Sequence, residues 1–515
     1  MCRVALTLML YWAASKKQDH MKHFFWCLLL LPMSIQAQVP DFSRDVWYHI
    51  FVRSFYDSNG DLQGDLRGIT QKLDVLEDLG VTGILLSPIQ ASACYHNYFA
   101  DDFFQIDPAY GTMADFLALR RETRKRKMRL VLDMEMQYIT DRHVWYTSSL
   151  KKPESPYSGY ILYNGAGNTD PESAVFNIRS YRDWRGENIG LMTLNLNHPK
   201  TLSEMKRLFR FWADPNGDGT NEDGVDGFRI DHMMDDLDAK GKVNQLYTKF
   251  WKPLIAHIKT RYPRVFFIGE QANWGLDREM LTVAGADGQF GFLAWDAFNT
   301  ANPLRIQNAI DSTRAALPAG KFYLSFVENH DTNRSTLDFR SKAALTLLTG
   351  GIPILYYGQE LNMQGKRLEG PYADGADIPI RQAYPWTNNL HDAGSAIWYK
   401  GDYPWWKTTD DPYHVAYSWK DATDLAKTYL NWHHYKRLIA FRKAHPALFN
   451  GALKWLEVGN PNVLGFTRTS PAEQIRVLIN LSEVVQEVQN PLPIGGEPHG
   501  ILRLGVYEVN IKGIR

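Results

Sequence analysis

VDGFRID, residues 225–231, is one of eight short runs in the chain that are rich in apolar, β-branched or aromatic residues. The other seven are VWYHIFVRSF from Val46, VTGILLSPI from Val81, MRLVLDM from Met128, RVFFIGE from Arg264, FGFLAWD from Phe290, KFYLSFVENHD from Lys321 and GIPILYYGQE from Gly351. Amphipathic segments lie between them, with apolar residues recurring every three or four positions as in a helix packed on one face. Alternating strands and helices indicate an α/β fold with a parallel sheet. Eight such units predict a closed (β/α)8 TIM barrel whose strands are buried on both faces.

Two stretches depart from this alternation. The gap between the third and fourth runs is much longer than one helix and is rich in Tyr, Ser, Asn, Pro and Gly, which predicts a small domain inserted over residues 138–194. The barrel then takes residues 38–137 and 195–446. Beyond the helical segment around Trp432 the pattern changes to short β segments, which predicts a C-terminal antiparallel β-sandwich domain over residues 447–515.

Composition narrows the class of protein. A chain of 515 residues exceeds what one hydrophobic core normally holds, so several domains are expected. The 44% hydrophobic and 22% charged content is that of a globular protein. Lys plus Arg and Asp plus Glu both number 57, so no net charge attracts the chain to nucleic acid, which is not an expected partner.

The N-terminal segment has the pattern of a targeting signal. From Met21 the chain reads MKHFFWCLLLLPMSIQA, a basic start followed by an apolar run and then small and polar residues, which is typical of a secretory signal peptide. Residues 1–20 suit an over-extended gene start, so residues 1–37 are excluded from the fold. We expect a secreted or periplasmic protein without stable membrane insertion after cleavage; the alternative is an uncleaved anchor. Cleavage would leave Cys94 alone, so no intramolecular disulfide is expected.

Acidic residues fall at the ends of several apolar runs. Asp133, Asp231, Glu270 and Asp331 each close one, and the carboxyl ends of barrel strands meet on one face, where chemistry is done. Arg229 and Asp231 are two residues apart on a strand and point the same way, so the guanidinium would keep the carboxylate ionised. Asp231 therefore has the properties of a nucleophile. Glu270 follows the apolar stretch FFIG, and desolvation should raise its pKa toward that of a proton donor.

These acids suit one reaction class. Retaining glycoside hydrolysis uses an ionised carboxylate and a protonated carboxyl group about 5 Å apart. Asp331 could stabilise the oxocarbenium-like charge, and His330 could donate to a sugar hydroxyl. Two other interpretations exist: a single acid at a strand end is often a helix cap or salt-bridge partner, and an acidic cluster can hold metals as in two-metal phosphatases. His232 and His330 offer few of the nitrogen ligands that such metal sites usually recruit.

The same residues resemble glycoside hydrolase family 13, the α-amylase family, from about Val46 to the C-terminus. The motifs that carry the resemblance are GFRID ending at Asp231, IGEQAN around Glu270, FVENHD ending at Asp331, and GIPILYYGQE. The stretches FVRSFYDSNGDLQGDLRGITQKLDVLEDLGV, YHNYFADDFFQIDPAYGT and IRQAYPW are similar to its oligo-1,6-glucosidase-like branch. The resemblance implies a barrel with an inserted B domain and a C-terminal β domain. It also implies net retention at an α-glucosidic bond of starch or malto-oligosaccharides.

Residue roles follow from the resemblance. It implies that Asp231 is the nucleophile, Glu270 the proton donor and Asp331 the stabiliser of the transition state. It also implies substrate contacts, with Tyr98 as an aromatic platform for the sugar to be cleaved; without the resemblance Tyr98 would be interpreted as a core aromatic. The residues with implied substrate contacts are Arg229, His330, Tyr98, His96 and Asp133.

The chain also departs from the family pattern. Gln137-Tyr138 stands where the family's first region usually has Asn-His, so the usual amylase calcium site is expected to be absent and a sugar contact altered. His232-Met-Met-Asp235 replaces the residues that usually line the leaving-group side, which leaves linkage preference open. Phe99 and Met192-Thr193 replace an Asp and a Pro-Asp pair.

A loop near the start of the barrel predicts a structural Ca2+ site. Asp57, Asn59, Asp61 and Asp65 place side-chain oxygens at intervals along a Gly-containing turn, as a hard cation requires. The resemblance implies calcium here and adds the backbone carbonyl of Gln63 as a ligand. Leu62 stands where the branch tends to have Gly. The alternative interpretation is a solvated acidic turn.

Three functions are compatible with this sequence. The first is an α-amylase-like enzyme that acts on an α-glucan or malto-oligosaccharide. The second is an α-glucosidase or glucosyl-transferring enzyme of the same family. The third is a catalytically inactive sugar-binding homologue, which the intact Asp231, Glu270, Asp331 and Arg229 disfavour. Oligomeric state is left open by the sequence.

Overall fold

A computed structural model describes residues 41–183, 185–368, 373–387, 392–399, 425–493, 497 and 499–514. The segment 1–37, which the sequence predicts to be a signal peptide and its extension, lies outside the described residues. Within these ranges, the helices are all too short or too polar to cross a membrane. Cys94 is buried, with its thiol against the Tyr181 hydroxyl.

Eight parallel strands form a closed barrel in which each strand pairs with its neighbours in the chain and the eighth pairs with the first. All residues of the first, second and eighth strands are buried, as expected for strands covered on both faces. The predicted (β/α)8 barrel is confirmed. The strands are β1 Trp47–Ile50, β2 Gly83–Leu86, β3 Arg129–Met134, β4 Gly227–Met233, β5 Phe266–Gln271, β6 Gly288–Phe290, β7 Phe322–Ser325 and β8 Ile352–Tyr356.

Helices cover the barrel, and local signals in the sequence set their ends. The Asp65 carboxylate accepts a hydrogen bond from the Gly68 N–H at the start of the first helix, and Gly80, with φ +100°, caps its C-terminal end. The helices are α1 Leu66–Leu79, α2 Met113–Lys125, α3 Pro199–Ala213, α4 Lys252–Arg261, α5 Phe292–Phe298, α6 Pro303–Ala316, α7 Phe339–Leu348 and α8 Leu425–Ala444. Shorter helices and turns span Val52–Ser54, Val144–Ser149, Ala166–Asn168, Val175–Asn177, Leu237–Ala239, Tyr247–Trp251, Met280–Ala284, Gln359–Leu361, Ala373–Ile380 and Pro446–Asn450.

The sixth apolar run is only partly a strand, which corrects the sequence prediction. FGFLAWD was expected to be a strand from Phe290, but β6 ends at that residue and α5 begins at Phe292. Phe292, Ala294, Ala297 and Phe298 are buried at helical spacing. A short apolar run is compatible with either a buried strand or a buried helix, so periodicity could not separate the two.

Two smaller sheets lie beside the carboxyl ends of the early strands. Tyr138–Thr140, Ser180–Arg182 and Asn188–Thr193 form a three-stranded antiparallel sheet within the predicted insertion. Gln90–Ala91 and Asp102–Ile106 form a two-stranded sheet between β2 and α2. Both belong to segments that follow the end of a barrel strand, on the face where the acidic residues lie.

The C-terminal region is an antiparallel β domain, as predicted. Its main sheet has the order β9 Ala452–Trp455, β10 Val463–Ser470, β11 Glu473–Asn480 and β12 Val509–Ile514. A second sheet pairs Gln486–Gln489 with Ile501–Leu504. The two sheets share a small apolar core formed by Val458, Val463, Leu478, Val488 and Leu504.

Candidate active site

A cavity of about 430 Å³ lies at the carboxyl ends of the barrel strands. Asp231, Glu270 and Asp331 all line it, so the structure brings together the three acids that the sequence assigned to catalysis. The other lining residues are His96, Tyr98, Phe99, Tyr138, Val175, Phe176, His232, Ala272, Trp274, Arg367, Asp377 and Arg381. Arg229, His330 and Asp133, which were predicted to contact substrate, are fully buried just behind this wall.

The Arg229 guanidinium connects three of the acidic side chains. Its Nη1 donates to Asp133 Oδ1 at 2.8 Å and also contacts the Asp231 carboxylate. Its Nη2 lies 2.9 Å from Glu270 Oε2 but is not aligned for a hydrogen bond. Because Asp231 and Glu270 contact neighbouring nitrogens of one guanidinium, their carboxyl groups are close neighbours, as a double displacement requires.

Asp231 is held in the ionised form. Burial by itself would raise the pKa of Asp231, but the Arg229 guanidinium outweighs that effect. His232 and a hydrogen bond from Glu135 add to the lowering, so the pKa of Asp231 lies below its ordinary value. A carboxylate that stays charged at the working pH can attack an electrophilic carbon.

Glu270 is in the opposite protonation state. Burial raises the pKa of Glu270 well above its usual range, and the nearby charges of Asp231 and Asp331 raise it further. The Arg229 guanidinium and the His232 N–H act against this rise without cancelling it. Two neighbouring carboxyl groups with pKa values shifted in opposite directions are the arrangement expected of an acid and a nucleophile.

His232 contributes through its backbone as well as its side chain. It has φ +48°, a left-handed conformation that is unfavourable for a residue with a Cβ. In this conformation its N–H donates to Glu270 Oε2 at 3.2 Å. The strained backbone after the nucleophile therefore supplies a hydrogen bond to the proton donor, which the sequence indicated only as an unusual residue at this position.

The Asp331 carboxylate pairs with a second guanidinium, that of Arg381. Arg381 Nη2 lies 3.1 Å from Asp331 Oδ1, and Arg381 Nε donates to the main-chain oxygen of His330 at 2.8 Å. Burial nevertheless raises the pKa of Asp331. The sequence analysis did not assign Arg381 to the site, although the IRQAYPW stretch that contains it was recognised as family-like.

The sugar-binding side of the site is built on Tyr98. Its ring is parallel to the His330 ring, with centroids 5.4 Å apart, and its hydroxyl donates to Asp133 Oδ2 at 2.8 Å. Burial lowers the pKa of His330 well below its ordinary value, so the imidazole is neutral. Burial also raises the pKa of Asp133 to about 7. His96 Nδ1 accepts a hydrogen bond from the Tyr98 N–H at 3.0 Å, which fixes the backbone beneath the platform.

Two aromatic side chains at the cavity edge were not identified from the sequence. Phe176 is 80% exposed with φ +58°, and its ring centroid lies 6.2 Å from that of His232. Trp274 is 37% exposed with φ +52°, and its ring stacks on Phe292. Both are non-glycine residues in the left-handed region, so the backbone presents apolar rings to the cavity at a conformational cost.

The predicted calcium loop is closed by its own hydrogen bonds. Asp57 is buried and accepts from the N–H groups of Asn59, Gly60 and Leu62 at 2.7–3.0 Å. Asp65 accepts from Gly68 N and from Ser58. The donor set of carboxylate and amide oxygens fits a hard cation. The arrangement differs from a formed site, since no three His, Cys, Asp or Glu side chains anywhere in the described ranges lie at metal-ligating positions.

Gln137 and Tyr138, which replace the family's usual Asn-His pair, both make hydrogen bonds near the cavity. Gln137 Nε2 donates to the main-chain oxygen of Asp231 at 2.9 Å, and Tyr138 lines the cavity with its hydroxyl on Asp238. Leu62, in the position where the related branch tends to have Gly, has φ +70°. Both departures in the sequence therefore have a visible structural consequence.

This chain is similar to known proteins along most of its length. The family model for the α-amylase catalytic domain matches residues 49–451. Alpha-amylase 3 of Dictyoglomus thermophilum is 28% identical over 468 residues, covering 86% of each chain. Oligo-1,6-glucosidase of Parageobacillus thermoglucosidasius is 26% identical over 521 residues, covering 85% of this chain and 90% of that protein.

Solved structures share the fold. Isomaltulose synthase from Klebsiella sp. LX3 superposes with a TM-score of 0.73 at 22% identity, covering 92% of this chain and all of that one. The α-amylase of H. orenii gives a TM-score of 0.70 at 24% identity, covering 90% and 98% of the two chains.

Proposed function

This chain belongs to the α-amylase family, and on that basis we propose that it is a retaining glycoside hydrolase that cleaves α-glucosidic bonds by double displacement. The observation that carries the proposal is the contact of Asp231 and Glu270 with one buried guanidinium, Arg229, while their pKa values move in opposite directions. That arrangement gives the enzyme a charged nucleophile and a proton donor that can act on the same glycosidic bond.

In the first step the Asp231 carboxylate attacks the anomeric carbon. The bond from that carbon to the leaving oxygen breaks, and the leaving oxygen takes the proton of Glu270. The products are a glycosyl ester of Asp231, an ionised Glu270 and the released sugar. Asp331, held by Arg381 and next to the neutral His330, is placed to bind sugar hydroxyls and to stabilise positive charge at the ring.

In the second step Glu270 acts as a base. Its carboxylate takes a proton from water while the water oxygen attacks the anomeric carbon, and the ester bond to Asp231 breaks. Asp231 is released as a carboxylate and Glu270 is protonated again. Each step inverts the anomeric centre, so the product keeps the α configuration.

The proposed substrate is an α-glucan or a malto-oligosaccharide. Tyr98 offers an aromatic face to the sugar that is cleaved, and Phe176 and Trp274 offer apolar faces at the cavity edge on which further sugar rings can stack. A second sugar held at that edge could replace water in the second step, which is the glucosyl-transfer alternative.

Product analysis tests the assignment. The enzyme is incubated with maltooligosaccharides, isomaltose, pullulan and sucrose, and NMR follows linkage, acceptor and anomeric configuration. Release of α-configured glucose or maltooligosaccharide supports the hydrolase. New glucosyl linkages support transfer. An initial β-anomer would refute the retaining mechanism, and binding without turnover on all four substrates would support the inactive homologue.

We also propose that the loop from Asp57 to Asp65 binds a structural Ca2+ ion. The supporting features are its carboxylate and amide oxygens and the buried position of Asp57. Asp57, Asn59, Asp61 and the Gln63 carbonyl, with Asp65, would hold the ion. It would supply rigidity to the segment that follows β1, and it takes no part in the steps above.

Export is a further proposal. The segment 1–37 is proposed to be removed, leaving a secreted or periplasmic enzyme that starts near Gln38. N-terminal sequencing of the protein purified from the native host tests this. An intact segment 1–37 in a membrane fraction would favour the uncleaved anchor.

A further inference from the structure

Glu135 is a buried acid beside the nucleophile that the mechanism above does not use. It follows β3 directly, two residues beyond Asp133, and is 5% exposed. It lies behind the cavity and is not among the residues that line it. Its carboxyl group accepts hydrogen bonds from the N–H groups of Gln137 and Tyr138 and from the Gln137 side-chain amide.

The Gln137 side-chain nitrogen bridges Glu135 Oε2 and the main-chain oxygen of Asp231, at 3.1 and 2.9 Å, and the carboxyl groups of Glu135 and Asp231 hydrogen-bond to each other. Two ionised carboxyl groups in contact inside a protein repel strongly, so one of them must carry a proton. The Asp231 carboxylate contacts the Arg229 guanidinium directly, whereas the hydrogen bonds that Glu135 accepts come from uncharged N–H groups. The groups that face Glu135 include Asp231 from β4 and Gln137 and Tyr138 from its own segment, and the Tyr138 hydroxyl contacts Asp238.

This distribution of charges decides where the proton resides. Burial, followed by the charge of Asp231, raises the pKa of Glu135 well above its ordinary value, whereas the pKa of Asp231 is lowered. Glu135 is therefore the neutral partner and the hydrogen-bond donor, and Asp231 is the charged acceptor.

Gln137 completes a small unit around the nucleophile. Its amide nitrogen donates both to Glu135 Oε2 at 3.1 Å and to the main-chain oxygen of Asp231 at 2.9 Å. The end of β3 is thereby tied to the end of β4 at the residue that carries the nucleophile. The side chain and the backbone of Asp231 are both held from the same segment.

We propose that Glu135 is a positioning residue whose carboxylic acid donates a hydrogen bond to the Asp231 carboxylate and, with Gln137, holds it for nucleophilic attack and for departure. The inference rests on the proposed function, in which Asp231 forms and releases the glycosyl ester. The donor matters most in the second step. There the ester carbon–oxygen bond breaks, the electron pair stays on Asp231, and the returning negative charge is stabilised by the Glu135 O–H.

Loss of the Glu135 hydrogen bond should affect the second step of the reaction more than the first. Loss of the donor slows departure of Asp231 more than its attack, because the ester itself carries no charge to stabilise. A hydrogen bond to a charged group corresponds to about a 10- to 100-fold change in rate. We expect E135L to lower kcat by that factor and to lower KM as well, since the glycosyl-enzyme accumulates.

The experiment uses pre-steady-state kinetics on an aryl α-glucoside with a good leaving group. E135L should release a burst of one equivalent of the aryl alcohol, and mass spectrometry of the quenched enzyme should show one added hexose on the peptide containing Asp231. E135Q keeps an N–H donor at the same place and should turn over within a few-fold of wild type without a burst. E135A should show the same burst, and it takes the place of E135L if E135L does not fold.

The controls separate this inference from the proposed function. The matched control is Glu360, another buried acid whose pKa is raised by burial. Its carboxyl group accepts hydrogen bonds from the Tyr48 and Tyr384 hydroxyls and does not contact Asp231. E360Q should therefore show neither a burst nor a changed KM. Turnover by E135L with wild-type kcat and no burst would overturn the positioning role, as would E135Q behaving like E135L. If wild type does not cleave the substrate, or if D231N cleaves it as fast, the proposed function fails instead.

Discussion

Replacing Glu270 with Gln tests the proton donor most directly. The side chain is 6% exposed and nearly isosteric with Gln, so E270Q creates no cavity. The Gln side-chain oxygen can still accept from the His232 N–H, which lies 3.2 Å from Glu270 Oε2. We therefore expect E270Q to fold normally. Because the raised pKa of Glu270 reflects an unfavourable ionised form in the folded state, the variant should be at least as stable as wild type above neutral pH.

The size of the kinetic effect depends on the leaving group. A positioned general acid contributes about 10²- to 10⁴-fold, and a loss of 10³ corresponds to about 4 kcal/mol of transition-state stabilisation. On maltooligosaccharides the leaving sugar needs a proton, so E270Q should lose about 10³ in kcat/KM. On α-glucosyl fluoride the leaving group departs as a stable anion, and the loss in formation of the glycosyl-enzyme should be below about tenfold.

The pH profile supplies a second readout. A carboxyl group with a raised pKa is active as an acid below that pKa, so wild-type kcat/KM should fall as the pH rises through it. The lowered pKa of Asp231 sets the acid limb, since activity is lost when the pH falls through it. E270Q should keep the acid limb and lose the alkaline limb.

A matched variant within the site gives the contrast. D331N removes a carboxyl group that stabilises charge but donates no proton to the leaving oxygen, so its loss should be similar on both substrates. Equal losses for E270Q on maltooligosaccharide and on fluoride, or an unchanged alkaline limb, would refute Glu270 as the acid.

Three further predictions concern the nucleophile, its guanidinium and the calcium loop. D231N should fold and lose at least about 10³ in kcat on every leaving group, and full activity measured on α-glucosyl fluoride would reassign the nucleophile. R229M removes the guanidinium that lowers the pKa of Asp231; a unit charge about 4 Å away contributes about 4 kcal/mol of Coulomb energy at an effective dielectric constant of 20, before the desolvation cost that opposes it. The acid limb of the pH–rate profile should therefore move toward neutrality, and an unmoved limb would contradict the role of Arg229. Chelation should lower the melting temperature of wild type by a few degrees and leave D57N unchanged, since a bound ion stabilises the folded state by mass action; equal shifts in both proteins would argue against the ion.

Much of this architecture could be predicted from the sequence, because barrel strands are buried on both faces and appear as continuous apolar runs. The three acids of the cavity could be predicted for the same reason, since each lies at the end of such a run. FGFLAWD was misassigned because a buried helix can present the same short apolar run. The charge pairing of Arg229 with Asp231 followed from their two-residue spacing on one strand.

What could not be predicted depends on contacts between distant segments. Arg381 is 50 residues from Asp331, and its contact with that carboxylate needs a loop whose path is not encoded locally. Phe176 and Trp274 occur in irregular segments where no periodicity indicates which side chains are exposed. Glu135 was assigned no role from the sequence, because only the fold shows that it is buried against the nucleophile.

The chemistry of the site follows from a shortage of positive charge. Among the described residues that meet there, six carboxyl groups surround three guanidinium groups: Asp133, Glu135, Asp231, Glu270, Asp331 and Asp377 around Arg229, Arg367 and Arg381. If all were ionised, three negative charges would be buried without partners, which a medium of low dielectric constant does not tolerate. Protons therefore remain on the two glutamates, and the pKa of Asp133 rises to about 7. The three remaining carboxylates, Asp231, Asp331 and Asp377, each contact a guanidinium. A charged nucleophile between two neutral glutamates, one facing the substrate and one behind it, is thus the state that burial itself selects.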